Sequence, residues 1–201
     1  MFVIGITGPS GAGKGAASGY LISKNVSVID ADAVYHSVIS PPSDCLDELV
    51  SHFGRQILDD SGALNRAALA KLVFGQENRE RLELLNKITH KYVVARIREL
   101  TEKYAISGAK TCAIDAPLLI EAGLADDCDL TVAVLAEKEI RAERIARRDG
   151  IDISLALSRI NSQKPDEYYA LGADAVIYNN GTVDELYMAL EKVLPDGGAE
   201  I

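Results

Sequence analysis

The sequence predicts an α/β fold on a doubly wound parallel sheet of about five strands, and three observations lead there. Short apolar, β-branched runs alternate with helical segments from one end of the chain to the other. The runs at 110–114 and 130–135 are apolar without alternation, as in strands buried on both faces. The first run, Phe-Val-Ile-Gly-Ile-Thr at 2–7, breaks straight into a glycine-rich turn and then a helical segment.

Taken in order, 2–7 reads as a buried strand and 14–23 as the helix after it. A second short strand at 26–29 is closed by Asp30-Ala-Asp32, and a helix over 33–39 is stopped by Pro41-Pro42. Leu46, Leu49, Val50 and Phe53 recur at helical spacing in 44–53, and Asn65 is a cap for a helix over 66–74. The clearest helix is 78–104, where Leu85, Ile88, Tyr92, Ile97, Leu100 and Tyr104 form one stripe. After the strands at 110–114 and 130–135 comes a basic helix at 137–148, closed by the turn signal Asp149-Gly150. Helices at 153–161 and after Pro165, a last strand at 175–177 and a Thr182-capped helix to about 194 complete the pattern, with a frayed tail over 195–201. Residues 41–107 hold helices and no convincing strand. They read as a helical insertion on a single domain whose core is 1–40 and 108–201.

Composition narrows the function. At roughly 150 residues per domain, 201 residues make one large domain or one domain carrying an insertion. Hydrophobic residues at 48% and charged residues at 25% are ordinary globular values and exclude disordered and low-complexity classes. The formal charge of −9 repels phosphate backbones, so nucleic acid is not an expected partner, and any anionic ligand needs a local basic site. Cys45, Cys112 and Cys128 lack CxxC spacing and read as neither a disulfide framework nor a zinc site; Cys112 belongs to the core. Asp115 and Glu121 interrupt the longest apolar stretch, and the N-terminus has no basic leader. A cytoplasmic protein without membrane contact, monomeric or weakly self-associating, is the expectation.

The chemistry starts at Gly8-Pro-Ser-Gly-Ala-Gly-Lys14-Gly15, which fits GxxxxGK and lacks the final Ser or Thr. By composition alone the three fixed residues would match about 0.06 times in a chain of this length. Glycines let successive N–H groups turn inward around an anion, and the next helix adds its positive end. Gly8, Gly11, Ala12, Gly13, Lys14, Gly15 and Ala16 are therefore the expected cradle for phosphate groups, with Lys14 on the outer ones. Gly15 cannot offer the hydroxyl that normally binds Mg²⁺, though Mg²⁺ keeps waters that fill such a gap.

Asp30 and Asp32 follow the second strand, at the sheet edge that faces the ligand crevice. On an extended segment alternate residues point the same way, so one serves the metal and the other an acceptor hydroxyl; for Asp30 helix capping is an equal reading. The one dense basic spot holds Arg141, Arg144, Arg147 and Arg148, followed by Arg159. Triphosphate transfer needs such charge. Arg148, beside a turn, reads as functional, whereas Arg141 reads as part of a solvated face paired with Glu137, Glu139 and Glu143. Asp115 ends its strand either as a metal-site acid or as a turn former before Pro117.

The phrases Gly5-Ile-Thr-Gly-Pro-Ser-Gly-Ala-Gly-Lys14, Ile29-Asp-Ala-Asp32, Leu64-Asn-Arg66, Ile88-Thr-His90, Pro117-Leu-Leu-Ile-Glu121, Arg144-Ile-Ala-Arg-Arg-Asp-Gly150, Arg159-Ile-Asn-Ser-Gln163 and Ala173-Asp-Ala-Val-Ile-Tyr-Asn179 occur in one order. In order and spacing they resemble the dephospho-CoA kinase family over nearly the whole chain. The resemblance implies transfer of the ATP γ-phosphoryl group to the ribose 3′-hydroxyl of dephospho-CoA, with Mg²⁺. It implies a P-loop kinase fold with a helical acceptor-binding region and a lid, here 137–163. By position, Asp32 would be the base, Lys14 and Arg148 would act on the transferring group, and Arg144, Arg159 and Asn179 would bind ATP. His36, His90 and Glu121 would meet the acceptor, and Asp30 with Asp32 the metal. Gly15, Lys91 and Pro42 depart from the family pattern. Two rival readings are another P-loop kinase of nucleotide-like acceptors and a nucleotide-binding module that lost catalysis at Gly15.

Overall fold

The computed structural model describes residues 1–195. Its sheet holds β1 (Phe2–Thr7), β2 (Ser27–Asp30), β3 (Thr111–Asp115), β4 (Leu130–Leu135) and β5 (Ala175–Tyr178) in the order β2-β3-β1-β4-β5. Every pairing is parallel, with Ile6 opposite both Asp115 and Val132. The expected five-stranded parallel sheet is present.

The described residues form two compact units, residues 1–30 with 101–195 and residues 31–100. In the first, the period of two along a strand separates two cores. Val132 and Val134 of β4 join Ile4 and Ile6 of β1 under α1 (Lys14–Ser23) and α9 (Val183–Val193), through Ala17, Leu21, Leu186 and Leu190. Ala133 and Leu135 face the other way, toward Tyr169 of α8 (Asp166–Leu171). Burial on both faces is why these strands lack polar alternation. Further along the chain, α6 (Lys138–Asp149) and α7 (Ile153–Asn161) share a small core of Ala142, Ile145, Ala156 and Ile160.

The second unit contains α2 (Ala31–Val38), α3 (Asp44–Phe53), α4 (Arg66–Val73) and most of α5 (Arg79–Ile106). Ser43 caps α3 and Asn65 caps α4, each side chain accepting a backbone N–H. Tyr35 and Val38 of α2, and Ile39 just after it, pack with Cys45, Leu49, Phe53 and Ile88 of the helices that follow.

Helix ends match the sequence expectations within a few residues. Thr182 makes a full capping box with Glu185. Cys112 is buried in β3. The frayed tail expected over 195–201 lies, after Pro195, outside the described residues.

Candidate functional site

The phosphate loop joins β1 to α1. Gly8, Gly11 and Gly13 all have positive φ, from 79° to 136°. Gly13 caps α1 in the left-handed region at φ 112°, and its carbonyl accepts the N–H groups of Ala16 and Ala17 at 3.0 and 3.1 Å. A Cβ on Gly13 would collide with the Asn179 amide, so only glycine fits. Lys14 curls over the loop, its Nζ donating to the Gly8 carbonyl at 2.9 Å and the Pro9 carbonyl at 3.3 Å. The ammonium thus sits at the mouth of the loop. Gly15, second in α1, has open space where a side chain would be.

Asn179 and Arg144 are among the side chains that tie the loop to the rest of the unit. Buried Asn179, just beyond β5, donates its amide to the Ala12 carbonyl at 2.8 Å. Arg144 donates to the Asn179 carbonyl at 3.0 Å and reaches the Ala12 carbonyl at 3.4 Å. Both residues, expected at ATP, lie against the ATP-type loop itself.

Arg148 and Arg159 converge on one carboxylate. Arg148 donates to Asp149 Oδ1 at 2.7 Å, and Arg159 to Asp149 Oδ2 at 2.6 Å. The Arg148 guanidinium holds Asp149 below the usual carboxylate range. Arg141 corrects an expectation. It is not on a solvated face paired with glutamates; only 4% exposed, it bonds to the loop at Ser10 and to Gln163 and Asp166. Spacing puts it on the face of Arg144 and Arg148, but only tertiary packing shows what covers that face.

At the carboxyl ends of β2 and β3, Asp30 and Asp115 are register partners. Asp115 accepts the Ser18 hydroxyl of α1 at 2.6 Å. These are hard oxygen donors of the kind Mg²⁺ takes alongside substrate phosphates and water. Among the described residues no group of three or more His, Cys, Asp and Glu forms a cage for a metal ion, so an ion here would need oxygens from a bound phosphate. Glu121 lies elsewhere in this unit, near Tyr168 and Tyr169. Burial first, and the Glu121 carboxylate second, disfavour the phenolate and push both tyrosine hydroxyls above their ordinary range.

In the helical unit, Asp32 corrects the extended-strand reading. The strand ends at Asp30 and α2 starts at Ala31, so Asp32 is second in a helix, its carboxylate in the favourable first turn. His36, one turn later, has its Nδ1 against the Arg66 guanidinium at the start of α4. His90 is half-buried in α5.

The model of the family described as dephospho-CoA kinase matches residues 2–185. A protein of Fusobacterium nucleatum named dephospho-CoA kinase is 38% identical over 96% of each chain. The chain belongs to the dephospho-CoA kinase family. A protein of known crystal structure from Thermus thermophilus is 32% identical, with a TM-score of 0.76 over 96% of this chain and 95% of that one. The dephospho-CoA kinase of Campylobacter jejuni shares the fold at 24% identity and a TM-score of 0.69, covering 95% of this chain and 94% of that one. Against this family background, sequence reasoning gives no role to Ser18, Arg66 or Gln163. Arg66 and Gln163 stand within the family-like phrases, while Ser18 carries no signal. Among the described residues no helix is long and apolar enough to cross a membrane.

Proposed function

We propose that this chain transfers the γ-phosphoryl group of ATP to the ribose 3′-hydroxyl of dephospho-CoA, releasing ADP, as the last step of coenzyme A synthesis. The observation that carries this reading is a family match over residues 2–185 on a chain whose GxxxxGK turn is folded as a phosphate loop. The N–H groups from Gly11 to Ala16 and the Lys14 ammonium receive the β- and γ-phosphates. Arg148 and Arg159 leave Asp149 for the triphosphate, whose higher charge competes with a single carboxylate, and Arg144 and Asn179 hold the loop in place on its adenine side. Asp32 accepts the proton of the 3′-hydroxyl as its oxygen attacks phosphorus, and the bond to the ADP oxygen breaks.

His36, with Arg66 fixing its ring, and His90 and Glu121 are the acceptor contacts in this reading. Asp30 and Asp32 would hold Mg²⁺ together with ATP oxygens and water, and the ion would supply charge neutralisation on the phosphates. The helices of 137–163 act as a lid, and the protein works in the cytoplasm as a monomer or weak homo-oligomer. The test is phosphorus NMR of the product made from ATP, Mg²⁺ and dephospho-CoA. A new 3′-phosphomonoester resonance growing with ADP is expected. ADP formed without that resonance would redirect the reading to another acceptor.

A further inference from the structure

Arg141 is the one arginine of the basic cluster that lies in the core, at 4% exposure. A buried guanidinium costs stability unless its donors are used. Here one is used on the phosphate loop and two on side chains beyond α7. Nε donates to the Ser10 carbonyl at 3.0 Å, Nη2 to Gln163 Oε1 at 2.7 Å, and Nη1 to Asp166 Oδ1 at 3.1 Å. The same Gln163 oxygen accepts the Ser10 N–H at 3.3 Å. One residue at the apex of the loop is thus held by both its carbonyl and its N–H, in a closed ring of Arg141, Gln163 and Ser10. The next residue is pressed against the helix itself. A Cβ on Gly11 would lie 2.8 Å from the Arg141 carbonyl oxygen and 3.1 Å from its Cα, so only glycine lets the loop lie this close to α6.

We propose that Arg141 and Gln163 are a positioning pair that sets the apex of the phosphate loop, and through it the grip on ATP. The inference rests on the reading of Gly8–Ala16 as the ATP loop. The physical need is plain: a loop with three glycines at positive φ has little stiffness of its own. Inward-pointing N–H groups bind an anion well only if their geometry exists beforehand. Arg141 supplies that geometry from α6, and Gln163 from just beyond α7, so the two helices expected to form a lid also brace the loop. The planar fork matters. It reaches three acceptors in fixed directions, which one lysine ammonium cannot do.

The experiment compares wild type, Arg141→Lys, Gln163→Ala, the double variant of these two, and Lys14→Ala. It reads KM for each substrate, kcat, ATP affinity by calorimetry, and thermal unfolding. Losing a charge-assisted hydrogen bond to the loop corresponds to roughly a tenfold weaker grip. Arg141→Lys and Gln163→Ala should each raise the ATP KM and dissociation constant about tenfold, while the dephospho-CoA KM stays within about twofold. Because both act through Ser10, the double variant should lose less than the product of the two effects. A purely structural role would lower the unfolding temperature and move both KM values together. That result, or unchanged ATP affinity in folded variants, overturns the proposal; if Arg141→Lys fails to fold, Gln163→Ala decides alone. Lys14→Ala separates the two layers. If it binds ATP like wild type, the loop reading fails and the pair falls with it. If it loses ATP while the Arg141 and Gln163 variants keep it, only the positioning role fails.

Discussion

Gly15→Ser restores the hydroxyl that the phosphate loop lacks, and the structure says what it should do. Gly15 is the second residue of α1, is exposed, and has nothing within 4 Å of the place a Cβ would take. Its φ is not in the left-handed region, so serine fits without strain. Serine is about 0.5 kcal/mol better than glycine in a helix, which for a chain of this size raises Tm by roughly 1–2 °C. The larger effect is on the metal. One added oxygen donor, with a net worth of about 1 kcal/mol, lowers the half-saturating Mg²⁺ concentration roughly fivefold. The assay is ADP release at fixed ATP and acceptor, titrated with Mg²⁺, for both proteins. Superimposable titration curves would refute the reasoning that a hydroxyl at this position reaches the metal. A wild type inactive at every Mg²⁺ concentration but rescued by Gly15→Ser would mean that the chain binds nucleotide and has lost catalysis.

Further outcomes test other parts of the site. Asp32→Asn keeps the shape and removes the base; kcat should fall about 10²–10⁴-fold while calorimetric ATP affinity holds, and wild-type turnover would remove Asp32 from the chemistry. Asp149 should titrate below its ordinary 3.8 because Arg148 and then Arg159 stabilise its charged form. Its depressed value means that this pairing contributes stability above the unfolded carboxylate range and loses it as pH falls through the folded value. Carboxyl NMR should show the midpoint rising toward 3.8 in Arg148→Gln, and an unmoved midpoint would dismiss the pairing. Amide exchange across residues 137–163 should slow when ATP and dephospho-CoA are added together, since lids come from the less stable parts of a fold. Protection elsewhere and none there would end the lid reading.

What is legible in the sequence follows from how local each signal is. β1, α1, α3, β4 and α7 can be read to the residue because glycine turns, caps and apolar runs punctuate them. The junction after β2 misleads. Turn rules look for glycine or proline, but here Asp30 ends the strand and Ala31 starts the helix directly, which puts Asp32 on a helical turn. Helical spacing shows that α2 has an apolar side, not that Tyr35 and Val38 pack with Cys45, Leu49 and Ile88. Arg141 shows the limit most clearly. Its spacing fits Arg144 and Arg148, yet burial, Ser10 and Gln163 decide what it does, and those partners are 131 and 22 residues away in the chain. Lys14 needs no such help, because loop, lysine and helix are consecutive.

The central claim is that this chain phosphorylates the 3′-hydroxyl of dephospho-CoA. The most direct measurement is coupled ADP release with ATP and Mg²⁺, run in parallel with dephospho-CoA, AMP and adenosine as acceptors. Efficient turnover with dephospho-CoA, and kcat/KM lower by orders of magnitude with the other two, is the expected result. Equal or greater turnover with AMP or adenosine, or no ADP above the ATP-only control with any acceptor, would contradict it.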